Sequence, residues 1–361
     1  MPFLSTRGMP VSHPVYGVNH KETIRLLKER SLRLRRGGSV VDGRKVGLIV
    51  EGGAMRGVIS CAALLGLEEL GMTEAFDEVY GASAGAVNAA YFLAGQAAYA
   101  TTIYSQKINN TRFIRRLWHR QIVDIDSLFE SIIARERPLR VDKVLASRSP
   151  LFIAIEDACT GKAFLSPAQT SSTPLLTLLK ASSAMPLLYN GLVKVDGRDC
   201  FDGGLINPLP ILDAIEAGCT DLLVLLTRPA SFRECIPSVI ERQLFEIRCA
   251  RGNGAIMKAF CNTHLRSNGA RDIAFGRQSG PAGIHIATIC PDESGPGIER
   301  TTRNAQLLRA AAIASARRTL RTFGHPVEEF VEVLRPFPAL ELDLEPPAMD
   351  SESGESTLTP V

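Results

Sequence analysis

The apolar and polar positions of the chain predict strands and helices that alternate over its first part. The short apolar run in "RKVGLIVEGG" is typical of a buried parallel strand, and it ends on Gly52 and Gly53. A helical pattern follows and stops at Gly71. The run "FDEVYGAS" and a helix from Ala84 to Gly95 repeat the same order. Two strand–turn–helix units in succession predict a parallel sheet with crossover helices.

The remaining pattern predicts further strands and then mainly helices. Residues 101–145 are predicted to be helical and charged, with "RFIRRLWHR" near their centre. Residues 150–165 predict a strand with a turn, and Asp196 and Gly197 predict a hairpin turn. The run "DLLVLLTRP" predicts a buried strand, and residues 231–330 are mainly helical in pattern around the strand candidate "GIHIATICP".

The composition is that of an ordinary globular protein. Of 361 residues, 45% are hydrophobic, and the net charge of +3 is too small to indicate nucleic acid as a partner. The eight cysteines form no C-x-x-C pair, which favours core thiols in a reducing compartment over a disulfide or zinc framework. We find no secretory signal and no uninterrupted apolar stretch of about 18 residues, so we expect a cytoplasmic protein without a spanning helix.

The sequence GASAG places Ser83 between Gly81 and Gly85, at the predicted junction of a strand and a helix. Such a turn exposes a side chain and leaves backbone N–H groups free at the start of the helix. The small flanking residues allow another segment of the chain to approach closely. The chemical interpretation is a nucleophile, and the alternative is a packed turn with a spectator serine, because small residues are common in tight turns.

A serine hydroxyl becomes a good nucleophile when a base takes its proton. Of the six histidines, only His264 and His285 lie outside the basic N-terminal segment, the arginine-rich helix and the region of the tail. A Ser–His–Asp esterase that uses one of these two is therefore an open alternative. Asp202, which precedes Gly203 and Gly204, can serve as the base instead if it contacts the hydroxyl and is partly desolvated, because burial raises the pKa of a carboxyl group.

The loop "EGGAMRG", residues 51–57, presents successive N–H groups after a strand and before a helix. Such a nest binds anions and suits the oxyanion of acyl transfer. A dinucleotide site is the rival interpretation. It is disfavoured because Ala54 replaces a glycine of that motif and because the acidic residue that the motif places about 20 residues further on is lacking, since Glu68 and Glu69 lie inside the predicted helix.

Together these motifs resemble the patatin-like phospholipase family, in its bacterial type. The glycine-rich loop with a following Arg-Gly, the GASAG serine and the Asp-Gly-Gly stand in the family's order, and "ASSAMPLL" and "GGLINPLP" flank the aspartate as in the family. The resemblance covers residues 46–228. Besides the serine, the aspartate and the first two loop glycines, it rests on Arg56, Gly57, Gly81, Gly85, Gly203 and Gly204.

The resemblance implies a three-layer α/β/α sandwich with a mostly parallel sheet, to which this chain adds a helical C-terminal region. It implies a catalytic dyad in which Ser83 is the nucleophile and Asp202 activates it. It also implies an oxyanion hole at Gly52, Gly53 and Ala54. Ala54 stands where the family usually has a glycine, and the hole would be distorted if the loop needs a positive φ at that position.

The implied function is that of a serine acyl hydrolase that cleaves lipid esters and releases fatty acids, with no metal or organic cofactor. Its partner would be a lipid ester substrate, with peripheral contact to a membrane surface and without nucleic acid. Arg56 would brace the loop or, less favoured, attract an anionic substrate. A non-catalytic lipid-binding module is the remaining alternative, favoured by Ala54 and by the basic helix predicted over residues 19–36.

We expect four segments along the chain. Residues 1–45 carry ten Lys or Arg against three Asp or Glu and would form a basic helical extension. Residues 46–228 would form the catalytic core, and residues 231–335 a mainly helical part that packs on it. Residues 336–361 hold six acidic residues and no basic one, and this composition is typical of a disordered tail.

Overall fold

The computed structural model describes residues 15–115, 121–278 and 282–325, and its centre is a sheet of eight strands. The strands are β1 Val46–Val50, β2 Glu78–Ala82, β3 Leu151–Asp157, β4 Lys162–Pro167, β5 Val193–Val195, β6 Arg198–Asp202, β7 Asp221–Leu225 and β8 His285–Ile289. Their order in the sheet is β5-β6-β3-β2-β1-β7-β8, with β4 also paired to β3. Strands β3, β2, β1, β7 and β8 are parallel, whereas β4 and β6 run antiparallel to β3.

Twelve α-helices accompany the sheet in the described part of the chain. They are α1 His20–Arg35, α2 Gly57–Glu69, α3 Ala84–Leu93, α4 Ala97–Thr102, α5 Ile125–Ser127, α6 Val141–Leu145, α7 Leu175–Ser183, α8 Ile211–Glu216, α9 Val239–Phe245, α10 Gly254–Cys261, α11 Thr263–Ala274 and α12 Ala305–Thr322. The π-helical segments Ile103–Lys107, Leu128–Glu136 and Glu246–Ala250 continue α4, α5 and α9. Across the described ranges, no helix combines the length and the apolar character needed to cross a bilayer.

The sheet is covered on both faces, because successive side chains of a strand point to opposite sides. Leu48 and Val50 of β1 belong to one apolar cluster, which also contains residues of α2, α3 and α12. Ile49, between them, belongs to a second cluster with residues of α8 and α11. This arrangement confirms the predicted α/β fold with a mostly parallel sheet between helical layers and with an additional helix, α12, toward the C-terminal end.

The basic N-terminal helix packs on the domain. Its bounds, His20–Arg35, are close to the predicted residues 19–36, and it buries Leu26, Leu27 and Arg30. Residues 1–14 and 326–361 lie outside the described residues. The division into four segments, with an acidic tail at 336–361, therefore stays a prediction.

Residues 101–145 do not form the continuous helix that their pattern predicts. The helix ends at Lys107, and Ile114 pairs with Val123 in an isolated antiparallel bridge before α5 begins. The side chain of Asn110 accepts hydrogen bonds from the N–H groups of Arg112 at 3.0 Å and of Phe113 at 2.9 Å. Such an asparagine turn competes with helical hydrogen bonding and accounts for the break. Residues 116–120, within "RFIRRLWHR", lie outside the described residues.

Candidate active site

Ser83 occupies the sharp turn between β2 and α3 that GASAG predicts. Its backbone has φ 56° and ψ −135°, a conformation that residues other than glycine rarely adopt and that clusters at functional sites. The flanking glycines are required by close packing. A Cβ on Gly81 would lie 2.6 Å from the Cα of Ala86, and a Cβ on Gly85 would lie 2.2 Å from the carbonyl oxygen of Val50.

Asp202 reaches Ser83 through the register of β3. Strand β4 occupies one edge of β3, so β2 and β6, which pair with neighbouring residues of β3, share the other edge. On that edge Ala82, the last residue of β2, pairs with Ala154, and Asp202, the last residue of β6, pairs with Ile155. Because β6 runs antiparallel to β2, the carboxyl ends of the two strands meet.

The two glycines after Asp202 make this meeting possible. A Cβ on Gly203 would lie 2.4 Å from the carbonyl oxygen of Ala154, so a larger residue would separate the loop from β3. A Cβ on Gly204 would lie 3.0 Å from Oδ1 of Asp202 and 3.8 Å from the Cβ of Ser83. Gly204 therefore lies within contact distance of both candidate catalytic residues, and Gly203 lies against β3.

The carboxyl group of Asp202 is fully buried and only partly hydrogen-bonded. Oδ1 accepts a hydrogen bond from the N–H of Gly204 at 2.8 Å. Burial raises the pKa of Asp202 to about 7, against the lowering effects of a hydrogen bond from the Ser83 hydroxyl, of the Gly204 N–H and of the positive charge of Arg300. A carboxyl group with this pKa is ionised over part of its population at neutral pH.

The contact between the Ser83 hydroxyl and Asp202 is looser than an ordinary hydrogen bond. Ser83 is near enough to lower the pKa of Asp202, yet Oδ2 of Asp202 has no partner of ordinary hydrogen-bond geometry among the described residues. Because Oδ2 lacks such a partner, the contact between the Ser83 hydroxyl and Asp202 is long or poorly aligned. Catalytic hydrogen bonds of free enzymes are often of this kind and tighten when substrate binds.

The loop after β1 lies directly against Ser83. A Cβ on Gly52 would lie 2.4 Å from the carbonyl oxygen of Ala82 and 2.9 Å from the Cβ of Ser83. The hydroxyl of Thr227 fixes the loop from the other side, since it donates to the carbonyl oxygen of Gly52 at 3.0 Å and to Oε2 of Glu51 at 2.8 Å. No described residue accepts a hydrogen bond from the N–H groups of residues 52–54, so these three donors remain available to a ligand.

Ala54 has a positive φ, which is the condition under which the sequence predicts a distorted oxyanion hole. Its φ is 51°, in the left-handed region, whereas Gly53 before it has φ 133°. A left-handed alanine costs about 1–2 kcal/mol relative to its ordinary conformation. The loop therefore keeps the shape that a glycine would adopt freely, and the alanine is strained instead of the loop being reshaped.

Sequence reasoning missed one contributor to this turn. The hydroxyl of Ser182 accepts a hydrogen bond from the N–H of Ser83 at 2.9 Å and donates to the carbonyl oxygen of Ala154 at 2.7 Å, so it holds the turn on β3. The N–H of Ala84, the first residue of α3, has no acceptor in the part of the chain that the structure describes, in agreement with the free N–H groups that the motif predicts there. The run "ASSAMPLL" contained Ser182, but a local motif does not show which partner a serine hydroxyl will find.

Arg56 lies beside the loop as a buried, unpaired guanidinium group. Its Nε and Nη2 lie 3.0 Å from the position that a Cβ would take on Gly53, and Nε has no hydrogen-bond partner among the described residues. Burial lowers the pKa of Arg56 to about 10, and the positive charges of Arg300 and Arg228 lower it further. The guanidinium group thus lies close to the loop, and its role as a brace stays a prediction.

Ser83 opens into two cavities of different character. The first, of about 70 Å³, is apolar, and its lining includes Val87, Ile103, Ile108, Phe113, Ile125 and Leu128. The second is a polar cleft whose lining includes Gly52, Gly53, Arg56, Glu234 and Arg300. Ser83, Met185 and Arg300 line both cavities. The serine therefore lies where an apolar chain and a polar group of one ligand would meet.

Neither candidate histidine is hydrogen-bonded to Ser83 or Asp202. His285 begins β8 and its Nδ1 contacts Asp221 at 3.2 Å, at the amino ends of the parallel strands and away from the serine. His264 lies on α11, and its Nδ1 is buried without a hydrogen-bond partner in the described ranges. Within those ranges no group of three or more His, Cys, Asp or Glu is placed to hold a metal ion.

The fold and the site together define a class of protein. A mostly parallel sheet between helical layers, with a serine on a strained strand-to-helix turn, is the arrangement of α/β proteins that carry a nucleophile elbow. Residues 48–215 match the family model described as patatin-like phospholipase. The matched stretch, 168 of 361 residues, contains both Ser83 and Asp202 and is similar to the patatin-like phospholipase family.

Two known proteins show how far the similarity extends. The Uncharacterized protein YjjU of Escherichia coli (strain K12) is 28% identical over 194 residues, which cover 52% of this chain and 53% of that protein. The chain thus spans about half the length of this relative. The crystal structure of VipD from Legionella pneumophila is similar with a TM-score of 0.37 and 12% identity, over 78% of this chain and 67% of that chain. A similarity of that size supports no statement about function.

Proposed function

We propose that the protein is a serine acyl hydrolase that cleaves lipid esters with a Ser83–Asp202 dyad. The observation that carries the proposal is the buried Asp202, which has an unused oxygen beside a strained serine at the end of an apolar cavity. The similarity of residues 48–215 to the patatin-like phospholipase family supports the same class of substrate. The roles of the individual residues are part of the proposal.

In the first step Oδ2 of Asp202 takes the proton of the Ser83 hydroxyl while Oγ attacks the ester carbonyl. A base with a pKa near neutral pH is well matched to this transfer. The N–H groups of residues 52–54 would donate to the oxyanion that forms, and each such donor contributes about 3 kcal/mol to the lowering of the barrier. The N–H of Ala84 is a further candidate donor.

The first step ends as the acyl-enzyme forms, and the second step hydrolyses it. The alcohol leaves with the proton that Asp202 holds, and Ser83 keeps the acyl group as an ester. Asp202 then removes a proton from water, the hydroxide attacks the acyl carbonyl, and the proton returns to Oγ of Ser83 as the fatty acid is released. All the groups that this sequence of steps needs come from the chain itself and from water.

We assign the acyl part of the substrate to one cavity and its alcohol part to the other. The apolar cavity would hold the acyl chain, because its lining is almost entirely aliphatic and aromatic. The polar cleft, with Arg56 and Arg300, would hold the alcohol part of the ester. A lipid ester that carries a polar or anionic head group fits both requirements.

Hydrolysis of a medium-chain ester by variants of the dyad tests the proposal. We expect Ser83→Ala and Asp202→Asn each to lose roughly 10³-fold or more in kcat, because either change removes the activated nucleophile. His264→Ala serves as the control and should keep wild-type turnover. Wild-type rates in either dyad variant would overturn the dyad, and a collapse in His264→Ala would favour a Ser–His–Asp esterase.

A non-catalytic lipid-binding module remains the second candidate, because Ala54 holds a strained conformation at a position of the loop that would bind the oxyanion. The same assay separates the two candidates. A purified wild-type protein that binds medium-chain lipids but hydrolyses none of a panel of esters would support the binding module.

A further inference from the structure

We propose that a solvent-exposed aliphatic face beside the active-site cleft docks the protein on an anionic lipid bilayer. We call this the docking face, and it consists of Ile236, Val239, Ile240, Leu244, Ile247 and Leu265. The inference rests on the proposed function insofar as the bilayer would present the substrate. The physical case for the face is independent of the chemistry at Ser83.

The docking face has an unusual concentration of exposed apolar side chains. Its six residues are between 37% and 77% exposed, and they make up six of the eleven exposed large hydrophobic residues in the described part of the chain. A surface helix of a globular protein normally turns its apolar side inward. Five of the six lie within residues 236–247, and exposed apolar residues that cluster in this way, in contrast to scattered single residues, mark interaction sites.

Local structure holds the docking face outward. Helix α9 begins with a capping box between Ser238 and Glu241, and it continues into the π-helical segment Glu246–Ala250. On the inner side the ring of Phe245, which is fully buried, stacks on Phe260 with centroids 4.0 Å apart. The helix is therefore fixed through one apolar side, and the second apolar side remains in solvent.

The charge of the segment that carries most of the docking face complements an anionic surface. Residues 239–266 contain five basic and two acidic residues; the basic ones are Arg242, Arg248, Arg251, Lys258 and Arg266. Both acidic side chains are engaged locally, since Glu241 accepts from the N–H of Ser238 at 2.7 Å and Glu246 accepts from the N–H of Gly252 at 2.7 Å. Aliphatic residues bordered by Lys and Arg are typical of helices that lie in a membrane interface.

The docking face adjoins the cleft at Ser83. Glu234, two residues before Ile236, lines the polar cleft, and so do Thr263 and Ser267 of α11, the helix that also carries Leu265 on another side. A bilayer seated on the docking face would therefore contact the same segments that line the cleft. The basic helix α1 does not offer such a surface, because its Leu26 and Leu27 are buried against the domain.

Vesicle binding by the full chain tests the docking face. The test variant is Ile240→Ser with Ile247→Ser, at positions that are 77% and 75% exposed, and the matched control is Leu32→Ser with Val41→Ser, at positions that are 53% and 79% exposed elsewhere. Sedimentation with vesicles of phosphatidylcholine and phosphatidylglycerol should show roughly tenfold weaker binding for the test variant and no change for the control. Vesicles of phosphatidylcholine alone should bind the wild type more weakly, and added salt should weaken binding to the anionic vesicles.

The outcomes separate docking from catalysis. Hydrolysis of a soluble short-chain ester should be the same in the wild type and the test variant, whereas hydrolysis of vesicle lipid should fall only in the test variant. A Ser83→Ala protein should bind vesicles as the wild type does, so docking can be measured even if the hydrolase proposal fails. Equal vesicle binding by the wild type and the test variant would overturn the docking proposal. So would a wild type that ignores vesicles but forms a dimer that the test variant loses.

Discussion

The two ends of the parallel strands both bury charged residues, but these residues differ in how completely they are hydrogen-bonded. At the amino ends Asp221 is fully buried, and its carboxylate receives Arg44 at 2.7 and 2.8 Å and the hydroxyl of Thr220 at 2.8 Å. At the carboxyl ends Asp202 is equally buried, but its Oδ2 has no partner of ordinary geometry among the described residues. A carboxylate whose bonding is complete stabilises the fold, and one whose bonding is incomplete is free to bind a proton or a substrate.

Two buried arginines repeat the contrast. Arg30 donates to both oxygens of Asp42 at 2.8 Å, to Asp77 at 2.7 Å and to two backbone carbonyl oxygens near the starts of β1 and β2. The guanidinium group of Arg56, beside the loop at the end of β1, donates no hydrogen bond to a described residue, and its Nε is buried without a partner there. The buried charges at the amino end are thus paired and stabilise the fold. At the carboxyl end, charged groups of both signs keep an atom without a hydrogen-bonded partner near Ser83 among the described residues.

Replacing each buried arginine with methionine gives the largest expected difference. Arg30→Met should lose about 3–5 kcal/mol of unfolding free energy, because it leaves two carboxylates and two carbonyl groups without their donor. Arg56→Met should lose less than about 1 kcal/mol or gain stability, because no hydrogen bond is broken and an unpaired buried charge is removed. Chemical denaturation measures both free energies of unfolding, and equal losses would contradict the difference between the two arginines.

The buried Asp202 should make the stability of the protein depend on pH. The pKa of Asp202 is raised from 3.8 to about 7, which corresponds to about 4 kcal/mol at most. The charged form is the one that folding disfavours, so wild-type stability from this group is full below pH 4 and falls as pH rises toward 7. Asp202→Asn should remove this fall and be the more stable protein at pH 8, with little difference at pH 4.

Asp221→Asn is the control for that measurement. It should be less stable than the wild type at pH 8, because the amide replaces a carboxylate that receives charged and neutral donors. Denaturant titrations at pH 4 and pH 8 give the four differences. A gain for Asp221→Asn, or a loss for Asp202→Asn at pH 8, would show that the two ends are not distinguished as described.

Two substitutions in the loop after β1 test which of its positions tolerate a Cβ. Gly52→Ala should lower kcat about 10²–10³-fold, because the new Cβ would lie 2.4 Å from the carbonyl oxygen of Ala82 and would displace an oxyanion donor. Ala54→Gly should keep activity and gain up to about 1 kcal/mol of stability, because φ 51° suits glycine. Esterase assays and denaturation check both, and inactivation of Ala54→Gly would count against the loop's role.

The smallest expected effect concerns Arg300. Ester hydrolysis by the wild type should rise with pH through about 7, because Asp202 must be ionised to act as a base. Arg300 lowers the pKa of Asp202, so Arg300→Gln should move this rise to higher pH. The displacement should shrink at high ionic strength because the Arg300 side chain is exposed. A displacement to lower pH would contradict the assigned electrostatics.

Local pattern predicts much of this structure, and non-local packing decides the rest. The turns at Gly71 and Asp196–Gly197 and the junction at Ser83 follow from short motifs, because their residues must adopt particular φ values. The contact of Asp202 with the serine depends on β2 and β6 sharing one edge of β3, a register that no short motif specifies. The break in the predicted helix after Lys107 likewise depends on how Asn110 is used.

The most direct measurement is the covalent labelling of the wild type, Ser83→Ala and Asp202→Asn by a fluorophosphonate, followed by mass spectrometry of the labelled peptide. The account predicts an adduct on Ser83 in the wild type, no adduct in Ser83→Ala and labelling at least roughly 10²-fold slower in Asp202→Asn, since the hydroxyl then lacks its base. An adduct on another residue, or equal labelling rates in the wild type and Asp202→Asn, would contradict it.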